Sequence, residues 1–520
     1  MLGTDMRIVL AVLTLAIAAS PTAAPAQATG DVVILYTNDF HTALDPIPAY
    51  WRPGSPRLGG AAWLAGLVNR VRAQERTVLL FDAGDMFTGM TSYVTRGEIL
   101  MEMMRAMRYD AFGIGNHEFD YGSDNFERQM NRVPYPVLGA NIFYRGTRHR
   151  YSRPYVILEQ HGVRIGVIGI IGQDARSVAL PSGVAGLDFD DPAPAIAPIV
   201  AELRPQVDLI VVLAHQGKTG PMQTDAEGRP EVQRDFDEDI RLAGAVPGID
   251  VLVGGHAHRG IEVPYVHPRT GTIIVQTYGY GTRLGYLKLH LAGGHVVGHA
   301  GRLMEVWSDS IQPDSAVAAV VAHYRALLPE SLTTVIGTAR LRLTRDYRAE
   351  SPLGDFVADV IREAVGAQIG IENAGGLRAD IPEGPITRAH VLDALPFVNH
   401  VARYHLSGAQ VREVIEQGLT LERGMVQVSG VRVEYDLSRP AGQRAVRILV
   451  DGRPLDAAGR YVVGTHDFLG QGGDLYTTFL SVPADTIGVE IQQAVTDRLR
   501  RRPEIDRPQG GRLVPIGAAR

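Results

Sequence analysis

The sequence contains no cysteine. This absence excludes disulfide bonds, thiolate metal sites, a cysteine nucleophile and a lipid-modified cysteine anchor. An excess of positive charge is also missing, since the formal net charge at pH 7 is −6. Proteins that bind nucleic acid polymers usually carry a basic surface, so we expect no such polymer among the partners. The chain also has no internal repeat and no low-complexity tract.

The composition is that of an ordinary globular protein. The chain has 520 residues, of which 45% are hydrophobic and 21% are charged, and it includes 58 glycines. A chain of this length can form more than one hydrophobic core.

The N-terminus has the features of a signal peptide. Arg7 precedes an apolar run at 8–19, and Ala26-Gln27-Ala28 has the small-x-small form of a cleavage site. The apolar run is short for a membrane span, although an uncleaved anchor is the alternative. No second apolar run follows, and residues 512–520 are not an apolar tail. We therefore expect export to the periplasm or the medium, with no stable membrane anchor.

Polar side chains follow several predicted apolar strands, at the point where each strand ends. The pairs of strand and polar residues are Asp31 to Tyr36 with Asp39 and His41, Val78 to Phe81 with Asp85, Asp110 to Ile114 with Asn116 and His117, Val207 to Leu213 with His215, and Ile249 to Val253 with His256 and His258. Neighbouring strand ends lie close together in a sheet, so these side chains should converge. Oxygen and nitrogen ligands without sulfur favour Zn, Mn, Fe, Co or Ni over a calcium site.

Other patterns predict the surrounding structure. Alternating strands and helices indicate an α/β region, finished by antiparallel strands such as Gly285 to Leu291. Asp124 and Glu127 resemble a capping box. The methionine stripe of the helix near Leu100 indicates core packing. The proline-rich stretch Pro181 to Pro198 is predicted to be a loop.

A helix at Asp314 to Leu328, which Pro329 ends, is predicted to connect two domains. The predicted organisation is a signal peptide at 1–28, a first domain at 29–311, a linker helix at 312–331 and a second domain at 332–520.

The motifs are similar to those of the metallophosphoesterase family. They are Thr37-Asn38-Asp39-x-His41, Gly84-Asp85, Gly115-Asn116-His117-Glu118, His215-x-Gly217 and Gly255-His256-x-His258. The second half resembles the C-terminal domain of the 5'-nucleotidase and UDP-sugar hydrolase branch, through Asn373-Ala374-Gly375-Gly376-Leu377-Arg378, Pro396-Phe397, and Phe468 followed by Gly472-Gly473-Asp474. The resemblance implies an α/β (α+β) fold, in which an N-terminal β-sandwich flanked by helices precedes a mixed α/β domain.

The resemblance also implies a site with two divalent metal ions, such as Zn or Mn. One ion would be held by Asp39, His41 and His258, the other by Asn116, His215 and His256, with Asp85 bridging them. His117 would be the catalytic histidine, and Asp120 would orient it. The alternative for His117 is a structural histidine near the metals.

The second domain is expected to recognise the rest of the substrate. Phe397 and Phe468 would stack on a base, although such residues are more often core residues. The other expected substrate-binding residues are Arg345, Arg348, Asn373, Gly375, Arg378 and Asp474, and the sequence does not decide between the first two arginines. Three positions depart from glycines that the family usually has, namely Thr42, Val398 and Leu475.

The leading hypothesis is therefore an exported dimetal phosphohydrolase that removes the 5'-phosphate from small-molecule nucleotides by attack of a metal-activated water. The same site could instead act on 2',3'-cyclic nucleotides, UDP-sugars or a sulfur ester. A nucleotide-binding protein whose catalysis has decayed is the alternative outside the enzymes. The oligomeric state is left open by the sequence.

Overall fold

A computed structural model describes residues 28–49, 53–217 and 236–516. The predicted signal peptide lies outside these residues except for Ala28. Within the described part of the chain, no helix has the length and apolar character needed to cross a membrane.

The first half contains sixteen strands and eight α-helices within the described residues. The strands are β1 Gly30–Thr37, β2 Pro46–Pro48, β3 Arg57–Gly59, β4 Val78–Asp82, β5 Ala111–Gly113, β6 Val137–Leu138, β7 Ile142–Tyr144, β8 Tyr155–Gln160, β9 Val163–Ile171, β10 Leu187–Phe189, β11 Leu209–Gln216, β12 Val251–His256, β13 Tyr265–Val266, β14 Ile273–Val275, β15 Arg283–Ala292 and β16 His295–Glu305. The helices are α1 Ala61–Gln74, α2 Met90–Thr95, α3 Glu98–Met107, α4 Ser123–Met130, α5 Ala175–Val178, α6 Pro192–Leu203, α7 Asp237–Ala245 and α8 Ser315–Ala326.

Two six-stranded sheets form a sandwich. Their strand orders are β16-β15-β1-β4-β5-β6 and β13-β14-β12-β11-β9-β8. In the first sheet β1, β4, β5 and β6 are parallel, and β15 and β16 add an antiparallel pair at one edge. In the second sheet the central strands are parallel and both edge strands are antiparallel to their neighbours. Side chains alternate along β1, so that Val32 and Ile34 join the core between the sheets while Val33 and Leu35 join the core under the helices. Burial on both faces explains why β1 reads as a continuous apolar run.

Helices cover both outer faces of the sandwich. Residues of α1, α3, α4 and α8 share one core with the first sheet, and α6 and α7 share another with the second sheet. The methionine stripe of α3 is fully inside the first of these cores, as predicted. Val317 and Val321 of α8 enter the same core, so this helix packs on the first half of the molecule.

The second half is a mixed α/β unit with a five-stranded sheet of order β21-β18-β25-β20-β26. Its strands are β17 Val335–Ala339, β18 Ile369–Asn373, β19 Gly384–Thr387, β20 His400–Ser407, β21 Val426–Ser429, β22 Val431–Tyr435, β23 Ala445–Val450, β24 Arg453–Pro454, β25 Arg460–His466, β26 Thr486–Glu490, β27 Glu504–Ile505 and β28 Leu513–Pro515. Its helices are α9 Pro352–Ala364, α10 Arg388–Ala394, α11 Gly408–Gly418, α12 Asp467–Gly470 and α13 Ile491–Arg501. The sandwich and this mixed unit confirm the predicted fold class, while the predicted domain boundaries stay predictions.

Two local predictions are wrong. The stretch predicted as a loop contains β10 and the start of α6. Asp191 caps α6 by accepting a hydrogen bond from the backbone N–H of Ala193, and a proline in the first helical turn loses no hydrogen bond because those N–H groups have no partner within the helix. The predicted capping box is also absent, since α4 begins at Ser123 after Gly122 and has no side-chain cap.

Candidate functional site

The parallel strands bring the polar residues that follow them to one edge of the sandwich. Asp39, Asp85 and Asn116 come after β1, β4 and β5 of the first sheet. His215 and His256 lie at the ends of β11 and β12 of the second sheet. These five residues are 0–2% exposed, so both sheets contribute to one buried polar site.

Asp39, His41 and His258 form the first group, in which one ligand atom of each lies within 4.8 Å of the others. The Nε2 atoms of His41 and His258 are 3.0 Å apart. Two imidazole nitrogens can approach so closely only when a proton or a cation lies between their lone pairs.

Asp85, His215 and His256 form the second group, by the same 4.8 Å measure. The Nδ1 atom of His215 donates to the carbonyl of Ala83 at 2.8 Å, so its Nε2 faces the site. There Nε2 lies 3.1 Å from both the amide oxygen of Asn116 and a carboxylate oxygen of Asp85.

The chemistry of these groups fits divalent metal ions. Both ring nitrogens of His256 and the Nδ1 atom of His258 are buried without a hydrogen-bond partner among the described residues. Burial holds the pKa of His41, His256 and His258 well below its ordinary value, so these imidazoles are neutral and can bind metal. The assignment of Asp39, His41, Asp85, Asn116, His215, His256 and His258 as metal ligands nevertheless stays a prediction.

The backbone at this site is strained. Positive φ angles, which residues other than glycine rarely adopt, occur at Asp39, His41, Asp85, His256 and His258. Such strain persists only where surrounding contacts impose it, and it is concentrated at functional sites. The carboxylate of Glu118 supplies some of these contacts, because it accepts hydrogen bonds from the backbone N–H groups of Asp85, Met86 and Gly115 at 2.7–3.0 Å.

His117 lies beside the metal-ligand groups. Its Nδ1 is 3.0 Å from a carboxylate oxygen of Asp120, and its Nε2 is 3.9 Å from Asp85. Burial alone would lower the pKa of His117, but the carboxylates of Asp120 and Asp85 raise it overall. Asp120 is itself held by the hydroxyl of Thr88, which donates to it at 3.0 Å. The structure thus brings these two residues into contact, and their catalytic roles stay predictions.

One cavity joins this site to the second half of the molecule. Its walls include Asp85, Asn116, His117, His256 and His258 from the first half. From the second half they include the predicted substrate residues Asn373, Gly375, Arg378, Phe397, Phe468 and Asp474. The ring of Phe397 stacks on that of His117, with centroids 5.5 Å apart and an interplanar angle of 18°. The predicted metal and substrate residues therefore face one another across a single cavity.

The sequence does not decide whether Arg345 or Arg348 binds the substrate, and the structure separates the two. Neither Arg345 nor Arg348 lines the cavity. Burial raises the pKa of Tyr280, and the positive charges of Arg378 and Arg345 oppose that rise. Since Tyr280 packs against His41 and His258, Arg345 is electrostatically coupled to the site, whereas Arg348 is exposed.

The departures from glycine have different structural consequences. Thr42 and Leu475 have φ angles of 56° and 66°, in the left-handed region that glycine adopts without strain. Val398 is not among the residues with positive φ. The first two substitutions therefore add backbone strain, and the third does not.

Replacing Leu475 with glycine should cost about 1–2 kcal/mol less stability than the same replacement at an equally exposed leucine with ordinary backbone angles, because a side chain in the left-handed region costs about 1–2 kcal/mol. Unfolding by urea would measure the change. Leu437 provides a matched control, since both leucines are 38% exposed and Leu437 does not have a positive φ. We expect Leu437→Gly to destabilise the protein, and equal effects of the two substitutions would contradict the prediction.

The structure adds residues that sequence reasoning did not assign to the site. Glu118 belongs to the motif Gly115-Asn116-His117-Glu118, but the hydrogen bonds that its carboxylate accepts from backbone N–H groups form only in the folded loop. Tyr347 lines the cavity, and Leu180 reaches it from the first half. Arg423 pairs with Asp174 across the two halves, and Asp174 lies 3.8 Å from Nε2 of His256. No local pattern marks Leu180, Tyr347, Asp174 or Arg423, because only tertiary contacts bring the first two to the cavity and the last two to the neighbourhood of His256.

Comparisons with known proteins were consistent with these features. Residues 32–260 match the calcineurin-like phosphoesterase family, and residues 331–481 match the family described as 5'-nucleotidase, C-terminal domain. The chain is 28% identical to the snake venom 5'-nucleotidase of Naja atra, over 93% of this chain and 98% of that protein. The crystal structure of the 5'-nucleotidase precursor from Thermus thermophilus superposes with a TM-score of 0.83 and 28% identity, covering 94% of this chain and all of that one.

Some relatives are much longer. The trifunctional nucleotide phosphoesterase protein YfkN of Bacillus subtilis is 26% identical over 92% of this chain, but the match spans only 34% of that protein.

Proposed function

The chain belongs to the 5'-nucleotidase family of the metallophosphoesterases, and on this premise we propose that it is a phosphohydrolase that removes the 5'-phosphate from nucleotides. We propose further that its site holds two divalent metal ions, such as Zn or Mn. Asp39, His41 and His258 would hold one ion, Asn116, His215 and His256 the other, and Asp85 both.

The observation that carries this proposal is the shared cavity. A nucleotide has a charged phosphate at one end and a flat base at the other. The cavity has the metal-ligand groups on one wall and the aromatic side chains of Phe397 and Phe468 on the other. Base–aromatic stacking is worth about 1–3 kcal/mol and tolerates different bases, so it provides general binding of nucleosides.

The side chains around the expected phosphate position would bind the substrate and hold or transfer protons. When bound, paired divalent ions supply an activated water and neutralise charge on the phosphoryl group. His117 is raised in pKa and can present an N–H from Nε2 to a phosphoryl or leaving oxygen. Asp120 fixes the proton of the imidazole at Nδ1 and its orientation. Arg378, whose Nη2 atom is buried without a hydrogen-bond partner among the described residues, offers a further donor to the substrate.

Phosphate release from AMP is the test of this proposal. We expect release in the presence of Mn or Zn and loss of release with a chelator. Hydrolysis of 2',3'-cyclic AMP to a nucleoside monophosphate, of UDP-glucose to UMP and glucose 1-phosphate, or of a thiosulfate ester with release of sulfate would be followed by chromatography. Any of these products, with no phosphate released from AMP, would keep the metal site in the proposal and replace its substrate class. Binding of AMP with full metal occupancy and no release from any substrate would instead indicate a binding protein.

Export completes the proposal and rests on the predicted signal peptide. We expect the protein to be periplasmic or secreted, with a mature chain that begins at Thr29. Mass spectrometry of the protein recovered from each cell fraction would measure this N-terminus. An intact Met1 on membrane-bound protein would contradict the prediction and support the uncleaved anchor.

A further inference from the structure

Two ionisable side chains lie buried behind the cavity and have no part in the mechanism described above. They are Glu372, on β18, and His466, on β25, which are 1% and 0% exposed. These strands are parallel neighbours in the five-stranded sheet of the second half. Burying a carboxylate and an imidazole costs free energy unless each gains a specific partner, so the pair calls for an explanation.

Their partner is Asn373, one of the predicted substrate residues. The Nε2 atom of His466 lies 3.1 Å from the amide oxygen of Asn373 and 3.5 Å from a carboxylate oxygen of Glu372. Both neighbours are acceptors, so Nε2 must carry a proton and donate it. Burial alone would lower the pKa of His466, but the carboxylate of Glu372 raises it overall, which favours this protonated form.

The donor from His466 decides which way the Asn373 amide points. With its oxygen facing His466, the amide nitrogen faces Asp474 and donates to its carboxylate at 2.6 Å. The opposite orientation would place the amide oxygen against the Asp474 carboxylate and the amide N–H₂ against the N–H of His466. Both contacts would then be repulsive, so the amide has a single favourable orientation.

Asp474 needs this support because its own backbone is strained. Its φ is 48°, and the next residue, Leu475, is also in the left-handed region. Two glycines leave room for the chain of polar contacts. A Cβ atom at Gly376 would come within 2.4 Å of Glu372, and one at Gly375 would come within 3.2 Å of Asp474. The contacts thus form a packed path from Glu372 through His466 and Asn373 to the cavity wall.

We propose that Glu372 and His466 are positioning residues that set the specificity of the cavity for ribose. They hold the Asn373 amide in one orientation, and the amide holds the Asp474 carboxylate with its free oxygen toward the cavity, where it accepts hydrogen bonds from the 2'- and 3'-hydroxyls of a nucleoside. This inference rests on the proposed function, since it names how the same site recognises the sugar of its substrate.

The experiment compares two substrates that differ only in those hydroxyls, AMP and 2',3'-dideoxy-AMP. The ratio of their kcat/KM values measures recognition of the hydroxyls and cancels effects on the phosphate site. A site whose polar groups are left unpaired discriminates strongly against the analogue, so we expect the wild-type ratio to favour AMP by about tenfold or more. In His466→Phe, which keeps a ring but removes the donor, the ratio should fall toward 1 through a rise in the KM for AMP.

Conservative variants separate positioning from a general structural role. The amide nitrogen of glutamine occupies nearly the place of Nε2 in histidine, so His466→Gln should restore most of the ratio. Glu372→Leu should lower it, because Nε2 then loses the carboxylate that favours its protonation. His405→Phe is the matched control, since His405 lies on the adjacent strand β20 with half of its side chain exposed. A ratio that is unchanged in His466→Phe would overturn the inference.

Binding measurements keep this inference distinct from the proposed function. Calorimetry with adenosine and 2',3'-dideoxyadenosine needs no turnover. If the wild type releases no phosphate but binds adenosine more tightly, and His466→Phe loses that preference, the function fails and the inference stands. If the wild type hydrolyses AMP and the variants keep full discrimination, the function stands and the inference fails. If the wild type binds no nucleoside and hydrolyses no AMP, both fail.

Discussion

Replacing Asp85 with asparagine is expected to lower phosphate release from AMP by more than about 100-fold, because loss of even an outer partner of a metal ligand typically costs 10–100-fold. Asp85 belongs to the group with His215 and His256, and its ligand atom also converges with those of His41 and His117. Its Oδ2 atom is 3.1 Å from Nε2 of His215. An amide of the same shape removes the negative charge that would join the two metal positions. We therefore expect metal content and activity to fall together, as measured by elemental analysis and phosphate release.

Two comparator variants make this prediction specific. His117→Ala should lower kcat by about 10²–10⁴-fold and retain the metals, since this residue is proposed to transfer or share a proton. Asp239→Asn changes a carboxylate that is equally buried but belongs to none of the converging groups, and it should retain both metals and activity. If Asp85→Asn kept its full metal content and most of its activity, the bridging role would be wrong.

Locking the two halves of the molecule together should abolish most turnover. The cavity has walls from both halves, and Phe397 of the second stacks on His117 of the first. We expect substrate and product to pass when these walls separate, so domain opening would be part of each catalytic cycle. The backbone N–H of Met90 donates to Asp393 at 3.3 Å across the boundary, so these two neighbouring positions are the ones at which we would introduce a disulfide.

Because the chain has no cysteine of its own, the introduced thiols can form a disulfide only with each other within one chain. In a variant with Met90→Cys and Asp393→Cys, the introduced thiols are the only ones in the chain. Oxidation should lower turnover by more than about tenfold without loss of metal, and a reductant should restore it. Each single substitution serves as a control for effects on the surface. Full turnover in a sample whose disulfide is complete would show that the halves need not separate.

The fold could be predicted where local pattern and tertiary environment agree. Strand β4 runs from Val78 to Asp82 and so matches the apolar run Val78 to Phe81 that predicted it, because a strand buried on both faces is almost entirely apolar. Helix α6 was missed because its prolines were read as loop signals. The N-cap of Asp191 and the position of Pro192 in the first turn make that proline compatible with the start of a helix. The packing of Ile196 and Val200 in the core stabilises the helix even though Pro198 lies inside it.

The candidate site could be predicted in its chemistry but not in its assembly. The residue types at strand ends indicated oxygen and nitrogen ligands, since parallel strands bring their carboxyl ends together in any such sheet. Which of Arg345 and Arg348 lies near the site depends on the path of an irregular segment, for which the sequence carries no periodic signal. The electrostatic coupling of Arg345 to Tyr280 became apparent only from the folded chain.

Local patterning along this chain was thus enough to predict the buried strands that lead to the site, the core-facing helix α3 and the donors that follow the strand ends, because these depend on residues close in sequence. The folded structure alone decided the contacts between residues far apart. Glu372 and His466 are 94 positions apart, and the sequence around each residue predicts no role for it. Their strands are nevertheless neighbours in one sheet. Asp174 and Arg423, from different halves of the molecule, meet only because the two halves pack against each other. Such pairings depend on three-dimensional packing, which no short stretch of sequence encodes.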